Sequence, residues 1–147
     1  MKSLVNQNKS HSREYNEISI VGLPLPPSLW QAYVGFGRNR KTSEKYELCI
    51  WQIRRVLKEQ NIFIPKALCY RFDIYMYSSD WLTKKKTVKR KDIDNYIKCL
   101  TDPITKYFTT FDDCQIWTLN CYKIISEENY CDVTIMPMSE FPNFLKS

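Results

Sequence analysis

Apolar positions follow two periods along this chain, and the switches between them divide it into segments. From Glu17 to Leu23, Ile18 and Ile20 alternate with polar neighbours, the period of a half-buried strand. Leu23-Pro24-Leu25-Pro26-Pro27-Ser28 cannot continue a sheet, because proline lacks the ladder donor. It predicts an extended turn. Gly35 and Gly37 predict a flexible loop, made basic by Arg38, Arg40 and Lys41. Ser43 then suits a helix cap, with Glu44 in the first turn. Tyr46, Ile50, Ile53 and Leu57 recur at helical spacing behind it, and Arg54, Arg55 and Lys58 suit the C-terminal end.

The clearest strand follows. Leu68, Tyr70, Phe72, Ile74 and Met76 share one face, and Cys69, Arg71, Asp73 and Tyr75 the other. A second helix begins at Asp92 or Ile93, with Ile93, Ile97, Leu100, Ile104, Tyr107 and Phe108 as its apolar stripe. Pro103 falls inside the stripe and is expected to kink the helix or end its first half. Gln115–Ile125 and Tyr130–Met136 alternate as strands, and the polar Ser126–Asn129 between them predicts an antiparallel hairpin.

The order strand, helix, strand, helix, strand, strand predicts an α+β fold: a single domain with a small mixed β-sheet packed with two main helices. Residues 1–16 read as a flexible N-terminal extension, 17–136 as the domain and 137–147 as a C-terminal tail. The 147 residues suit one core. No apolar run approaches the roughly 18 residues of a membrane span, so no membrane partner is expected. The polar N-terminus lacks the apolar stretch of a secretory signal.

Charge narrows the function. A formal +6 favours polyanionic partners. None of the cysteines 49, 69, 99, 114, 121 and 131 forms a CxxC pair, and the only histidine is His11, so zinc is disfavoured. Free thiols in periodic segments act as small apolar residues, which predicts a reducing, cytoplasmic setting. Lys84, Lys85, Lys86, Lys89, Arg90 and Lys91 form the most basic run. Directly after it come Asp92, Asp94, Asn95 and Lys98, and later Asp112 and Asp113. Hard oxygen donors without histidine or cysteine suit Mg²⁺ or Mn²⁺.

Asp94 and Lys98 are one helical turn apart and share a face. Asp92 is expected at the cap, and Asp113 is expected to fold back beside the helix N-terminus. The same residues also admit a plainer account: a cap, an exposed ion pair and an acidic loop. Beside carboxylates that must meet phosphates, the basic run is expected to bind the DNA backbone, with Arg38, Arg40 and Lys41 as a second contact. Trp30 and Trp81 flank the basic loops and are expected to stack on unpaired bases. Trp51 and Trp117 fit periodic elements and are expected in the core.

At these residues the chain resembles the RusA family of Holliday junction resolvases. The likeness rests on Lys89-Arg90-Lys91-Asp92-Ile93-Asp94-Asn95-Tyr96-Ile97-Lys98, on Asp112-Asp113 before a strand, and on the Pro26-Pro27-Ser28 turn. Asp92 and Asp113 are 21 positions apart, an interval similar to the family's. The chain departs from the family pattern at Leu29-Trp30, where asparagine is common, and at Pro103. The resemblance implies a homodimeric, Mg²⁺-dependent endonuclease, with Mn²⁺ as a substitute, that resolves four-way DNA junctions by paired nicks in recombination and repair. It implies metal ligation by Asp92, Asp94 and Asp113, an essential cation at Lys98, and supporting roles for Asn95 and Asp112. Two alternatives keep the same residues: a branched-DNA-binding module that does not cut, and a less selective nuclease on flaps or RNA.

Overall fold

The computed structural model describes residues 15–143. Residues 1–14, most of the expected N-terminal extension, lie outside the described residues, as do 144–147. The sheet strands are β1 (Ile18–Leu23), β4 (Cys69–Ser78), β5 (Ile116–Ile125) and β6 (Tyr130–Met138). The helices are α1 (Leu29–Ala32), α2 (Glu44–Glu59) and α3 (Asp94–Tyr107), and a small ribbon pairs β2 (Tyr33–Val34) with β3 (Lys41–Thr42). The architecture is α+β with a mixed sheet, as the sequence predicts.

The sheet order is β1-β6-β4-β5. β6 runs antiparallel to both β1 and β4, whereas β5 lies parallel to β4. The antiparallel hairpin expected of β5 and β6 is therefore absent, because β4 fills the slot between them. Crossing that slot requires about 10 Å, two strand spacings. Ser126–Asn129 makes the crossing over the end of β4 and is tied to it. The Ser126 N–H donates to the Ser78 carbonyl (3.2 Å), and the Ser78 hydroxyl donates to Asn129 Oδ1 (2.7 Å). β6 continues through Pro137 to Met138, opposite Cys69.

One sheet face makes the core. Ile20, Tyr70, Phe72, Ile74, Met76, Val133 and Ile135 are fully buried against Ile53, Leu57, Leu100 and Ile104 of α2 and α3. The alternation of β4 is borne out from Tyr70 onward; Leu68, which precedes the strand, is exposed, and Cys69 on the other face is fully buried. The other face is wetter: Tyr75 stacks on Tyr122 (5.2 Å), Tyr77 on Tyr130 (4.4 Å), and Asn120 donates to Asp73. α2 starts as predicted, with Ser43 Oγ accepting the Tyr46 N–H (3.2 Å).

α3 continues past Pro103 to Tyr107, so the proline does not end it. The missing N–H is outweighed by the burial of Leu100 and Ile104 on either side. Trp30 is 84% exposed, as a residue available for stacking must be, but the core placement expected of Trp51 and Trp117 is not observed. Trp51 is 56% exposed and Trp117 53%. Trp51 stands about 200° around the helix from Ile53. The Arg55 guanidinium sits 5.6 Å from its ring centre, and Trp117 packs on Phe141 (4.2 Å). All six cysteines are free, and burial pushes the Cys49, Cys99 and Cys121 thiols up to about 11. No helix among the described residues is long and apolar enough to cross a membrane.

Candidate active site

The loop between β4 and α3 carries the basic run. Leu82 bridges Val88, Thr83 and Thr87 are joined by backbone and hydroxyl bonds, and Lys86 takes a left-handed φ of 63°. Lys84, Lys85 and Lys86 thus sit exposed at a hairpin-like tip. Lys89 and Lys91 turn back instead and pair with Asp80, Lys89 at 2.6 Å. Only the tip lysines and Arg90 stand clear of that carboxylate.

Trp81 does not present its ring to solvent. It is 5% exposed, donates its Nε1–H to the Met76 carbonyl (3.0 Å) and meets Tyr96 edge-on (5.5 Å). The expected stacking role for Trp81 is therefore corrected. Directly after a central strand, this ring folds back to seal the strand end, and its polar N–H finds a buried acceptor. The Lys123 ammonium lies 5.1 Å from the same ring and donates to the Lys91 carbonyl. These contacts pin the loop, and so the start of α3, to the Met76–Ser78 end of β4.

Asp80 was not singled out by sequence reasoning, yet it organises this loop. Hydrogen bonds from Lys89 and then Lys91 lower its carboxyl to about 2. Its folded value lies below the unfolded one, so its stabilisation is present above about pH 4 and is lost as pH falls through about 2. Asp80 is half-exposed, so solvent screening keeps the effect small. Asp80→Asn is expected to melt slightly below the parent at pH 7 and together with it near pH 2. Thermal melts across that range check this. The same change frees two lysines, so DNA affinity should rise and its salt dependence steepen.

Ile93 is the cap residue of α3, with Asp92 one position earlier, and the Asp92 carbonyl accepts the Asn95 N–H (3.2 Å). Asp92, Asp94 and Lys98 are all exposed, and Asn95 is half-buried. Asp94 and Lys98 do not form an ion pair: the pairs among the described residues are Arg55–Glu59, Arg71–Asp73, Lys89–Asp80 and Lys91–Asp80. Lys98 lines a recess with Leu29, Tyr33 and Arg40. The Arg40 guanidinium lies 4.2 Å over the Tyr33 ring, and Tyr33 in turn packs edge-on against the core residue Tyr46. The loop of the basic run thus leads directly into α3, and Arg40 of the second basic segment lies beside Lys98 on that helix.

Asp113 lies elsewhere. It opens the short 3-10 turn Asp113–Gln115 that leads into β5. Asp112 caps this turn. Its carboxylate accepts the Asp113 N–H (2.8 Å), and the Asp112 N–H donates to the Gln115 side chain (2.9 Å). β5 starts opposite Tyr70, so the turn sits at the beginning of β4, beneath the C-terminal end of α3. Two rulers agree on the separation. The 14 residues of α3 span about 20 Å at ~1.5 Å each. The stretch of β4 from Tyr70 to Met76 also covers about 20 Å at ~3.3 Å per residue.

The expected return of Asp113 to the helix N-terminus is therefore not observed: α3 continues unbroken to Tyr107, and the short stretch from Phe108 to Asp112 leads into the turn at the other end of the helix. Among the described residues, no group of three or more histidine, cysteine or carboxylate side chains is placed to hold a metal ion. Asp92 and Asp94 offer hard oxygen donors at the start of α3, and Asp113, the third of the predicted set, lies at the far end of that helix.

Sequence reasoning also missed Phe36. The glycines predict only a flexible loop, although Gly35-Phe36-Gly37 directly ahead of Arg38, Arg40 and Lys41 is a visible signal. The Phe36 side chain is 94% exposed.

A family model of the endodeoxyribonuclease RusA matches residues 26–136. No curated protein is similar enough in sequence to match the chain. The matched segment runs from the Pro26-Pro27-Ser28 turn through Met136 in β6 and contains both acidic segments. The chain belongs to the RusA endodeoxyribonuclease family, and it is a DNA-cleaving hydrolase.

Proposed function

We propose that two copies of this chain form a Mg²⁺-dependent nuclease that resolves four-way DNA junctions by paired symmetric nicks. The observation that carries this reading is the separation of Asp113 from Asp92 and Asp94 by the length of α3. β5 supplies the remedy. Among the described residues it pairs with β4 alone, so its other edge carries unpaired backbone groups along a ten-residue strand. Leu119, 43% exposed, and Ile125 also lie partly uncovered there.

A twofold axis beside β5 would set two copies edge to edge and antiparallel. The start of one β5 then lies beside the end of the other. Asp113, three residues ahead of β5, is carried to the Ile125 end of the second copy. Ile125 pairs with Ser78, at the end of β4 where α3 begins. Each site would then combine Asp92, Asp94 and Lys98 of one copy with Asp113 of the other. Two such sites are related by the symmetry of a four-way junction, which suits paired nicks.

Within each site the carboxylates would hold Mg²⁺, or Mn²⁺ in its place. Bound there, the cation supplies polarisation of a phosphate oxygen and a water of lowered pKa. Lys98 offsets charge developing on phosphate oxygens. The dipole of α3, positive at its start, favours the same anion. Asp112 is engaged in its own turn and supports Asp113 by fixing that backbone. Lys84, Lys85, Lys86 and Arg90 on one flank and Arg38, Arg40 and Lys41 on the other bind the DNA backbone, with Lys89 and Lys91 shared with Asp80. The free thiols support a cytoplasmic setting.

The test is cleavage of a labelled synthetic four-way junction, with and without Mg²⁺, beside a linear duplex of the same sequence. Symmetric nicks on the junction only, and only with metal, are expected. Tight binding without cutting in Mg²⁺ or Mn²⁺ would move the reading to a branched-DNA-binding module. Equal cutting of flaps or RNA would remove junction selectivity.

A further inference from the structure

We infer that Phe36 is a wedge that enters the opened base stack at a DNA branch point, and so sets the preference for branched over linear DNA. The inference rests on the proposed reading of the chain as a junction nuclease.

Phe36 is the most exposed large apolar side chain among the described residues, at 94%. It is held at the tip of a tight arm. Its carbonyl accepts the Asn39 N–H (3.2 Å), and the Gly37 carbonyl accepts the Arg40 N–H (3.2 Å). Gly35 (φ 87°) and Gly37 (φ 58°) flank it in left-handed conformations. A Cβ on Gly35 would meet the Asn39 carbonyl oxygen at 2.7 Å, so the turn closes only with glycine there. The root of the arm is fixed. β2 pairs with β3, the Ser43 N–H donates to the Ala32 carbonyl (2.8 Å), and the Ser43 hydroxyl donates to the Gln31 carbonyl (2.7 Å). A bare aromatic ring is thus presented by a braced arm, where water alone would favour hiding it.

The surroundings say what the ring meets. No carboxylate lies between Glu17 and Glu44, whereas Arg38, Arg40 and Lys41 are all exposed on the arm. Its root residues Tyr33 and Arg40 share a recess with Lys98 of α3. The arm therefore stands beside the face that receives the phosphates. The apolar surface that accompanies a phosphate chain is the face of a base. Within a continuous duplex that face is covered, and opening a step costs a few kcal/mol, whereas at a branch the stacking is already interrupted. An apolar wedge thus gains most where the strands exchange, and basic residues that touch only phosphates carry no such preference.

The experiment measures binding to a four-way junction and to a linear duplex of the same sequence with Ca²⁺ in place of Mg²⁺, and follows 2-aminopurine placed beside the branch. Phe36→Ala is expected to weaken junction binding roughly tenfold, the scale of one lost base stack. Duplex binding should stay within about twofold and the 2-aminopurine rise should vanish. Phe36→Trp should keep all three properties. Arg38→Ala should weaken both substrates alike and reduce the salt dependence. Phe36 is exposed, so these changes leave the core intact.

Equal losses on junction and duplex, or no loss with the fluorescence rise retained, would overturn the wedge. So would a parent protein that binds junctions without any fluorescence rise. Junction cleavage in Mg²⁺, scored separately, shows whether the nuclease reading stands when the wedge falls.

Discussion

Asp94→Asn is expected to lower Mg²⁺-supported junction cleavage by about a thousandfold or more while leaving junction affinity nearly unchanged. The substitution keeps the shape of an exposed side chain at the first position of α3, so no packing is lost. It removes one of the two carboxylates that this end of the chain can offer to a cation. A Lewis acid contributes several kcal/mol to the transition state, and each 1.36 kcal/mol is a factor of about ten. DNA affinity comes mainly from lysines and arginines, which are untouched, and loss of a negative charge near phosphates does not weaken it. Single-turnover cleavage and a binding isotherm in Ca²⁺ separate the two effects. Unchanged cleavage would remove Asp94 from the site.

The second large effect concerns the edge of β5. Leu119→Lys is expected to turn the proposed dimer into a monomer and to reduce cleavage about as far as Asp94→Asn. Lysine on an edge strand opposes strand pairing between chains, because its ammonium must stay hydrated. The position is 43% exposed, so the fold itself tolerates the change. Cleavage follows because the monomer has no Asp113 beside Asp92 and Asp94. Sedimentation or light scattering reports the mass, circular dichroism the fold, and the junction assay the rate. A folded, active dimer carrying Leu119→Lys would place the interface elsewhere.

Much of this was legible in the sequence because it depends on local periodicity and short-range chemistry. The Ser43 cap, the burial alternation of β4 and the face shared by Asp94 and Lys98 follow from spacing alone. Pairing order did not. Ser126–Asn129 has the length and polarity of a hairpin connection, and only the depth of burial of β4 reveals that a strand lies beneath it. Nor did the position of Asp113: counting residues gives a separation along the chain, whereas the intervening α3 turns it into a distance of about 20 Å. Trp81 and Phe36 show the same limit at single side chains. One aromatic near a basic loop is buried by a backbone acceptor on Met76, and the other is lifted clear by the left-handed glycines beside it. The acidic cluster looks complete in sequence and is divided in space.

The most direct test of the divided site is to mix two inactive proteins. Asp94→Asn and Asp113→Asn are each expected to be inactive alone. After subunits exchange, half of the dimers carry one copy of each, and in those dimers one site has both substitutions while the other has none. Nicking of the junction should therefore recover to about a quarter of the parent rate, as single nicks and not paired ones. No recovery from a mixture in which exchange has been demonstrated would contradict a site shared between two copies.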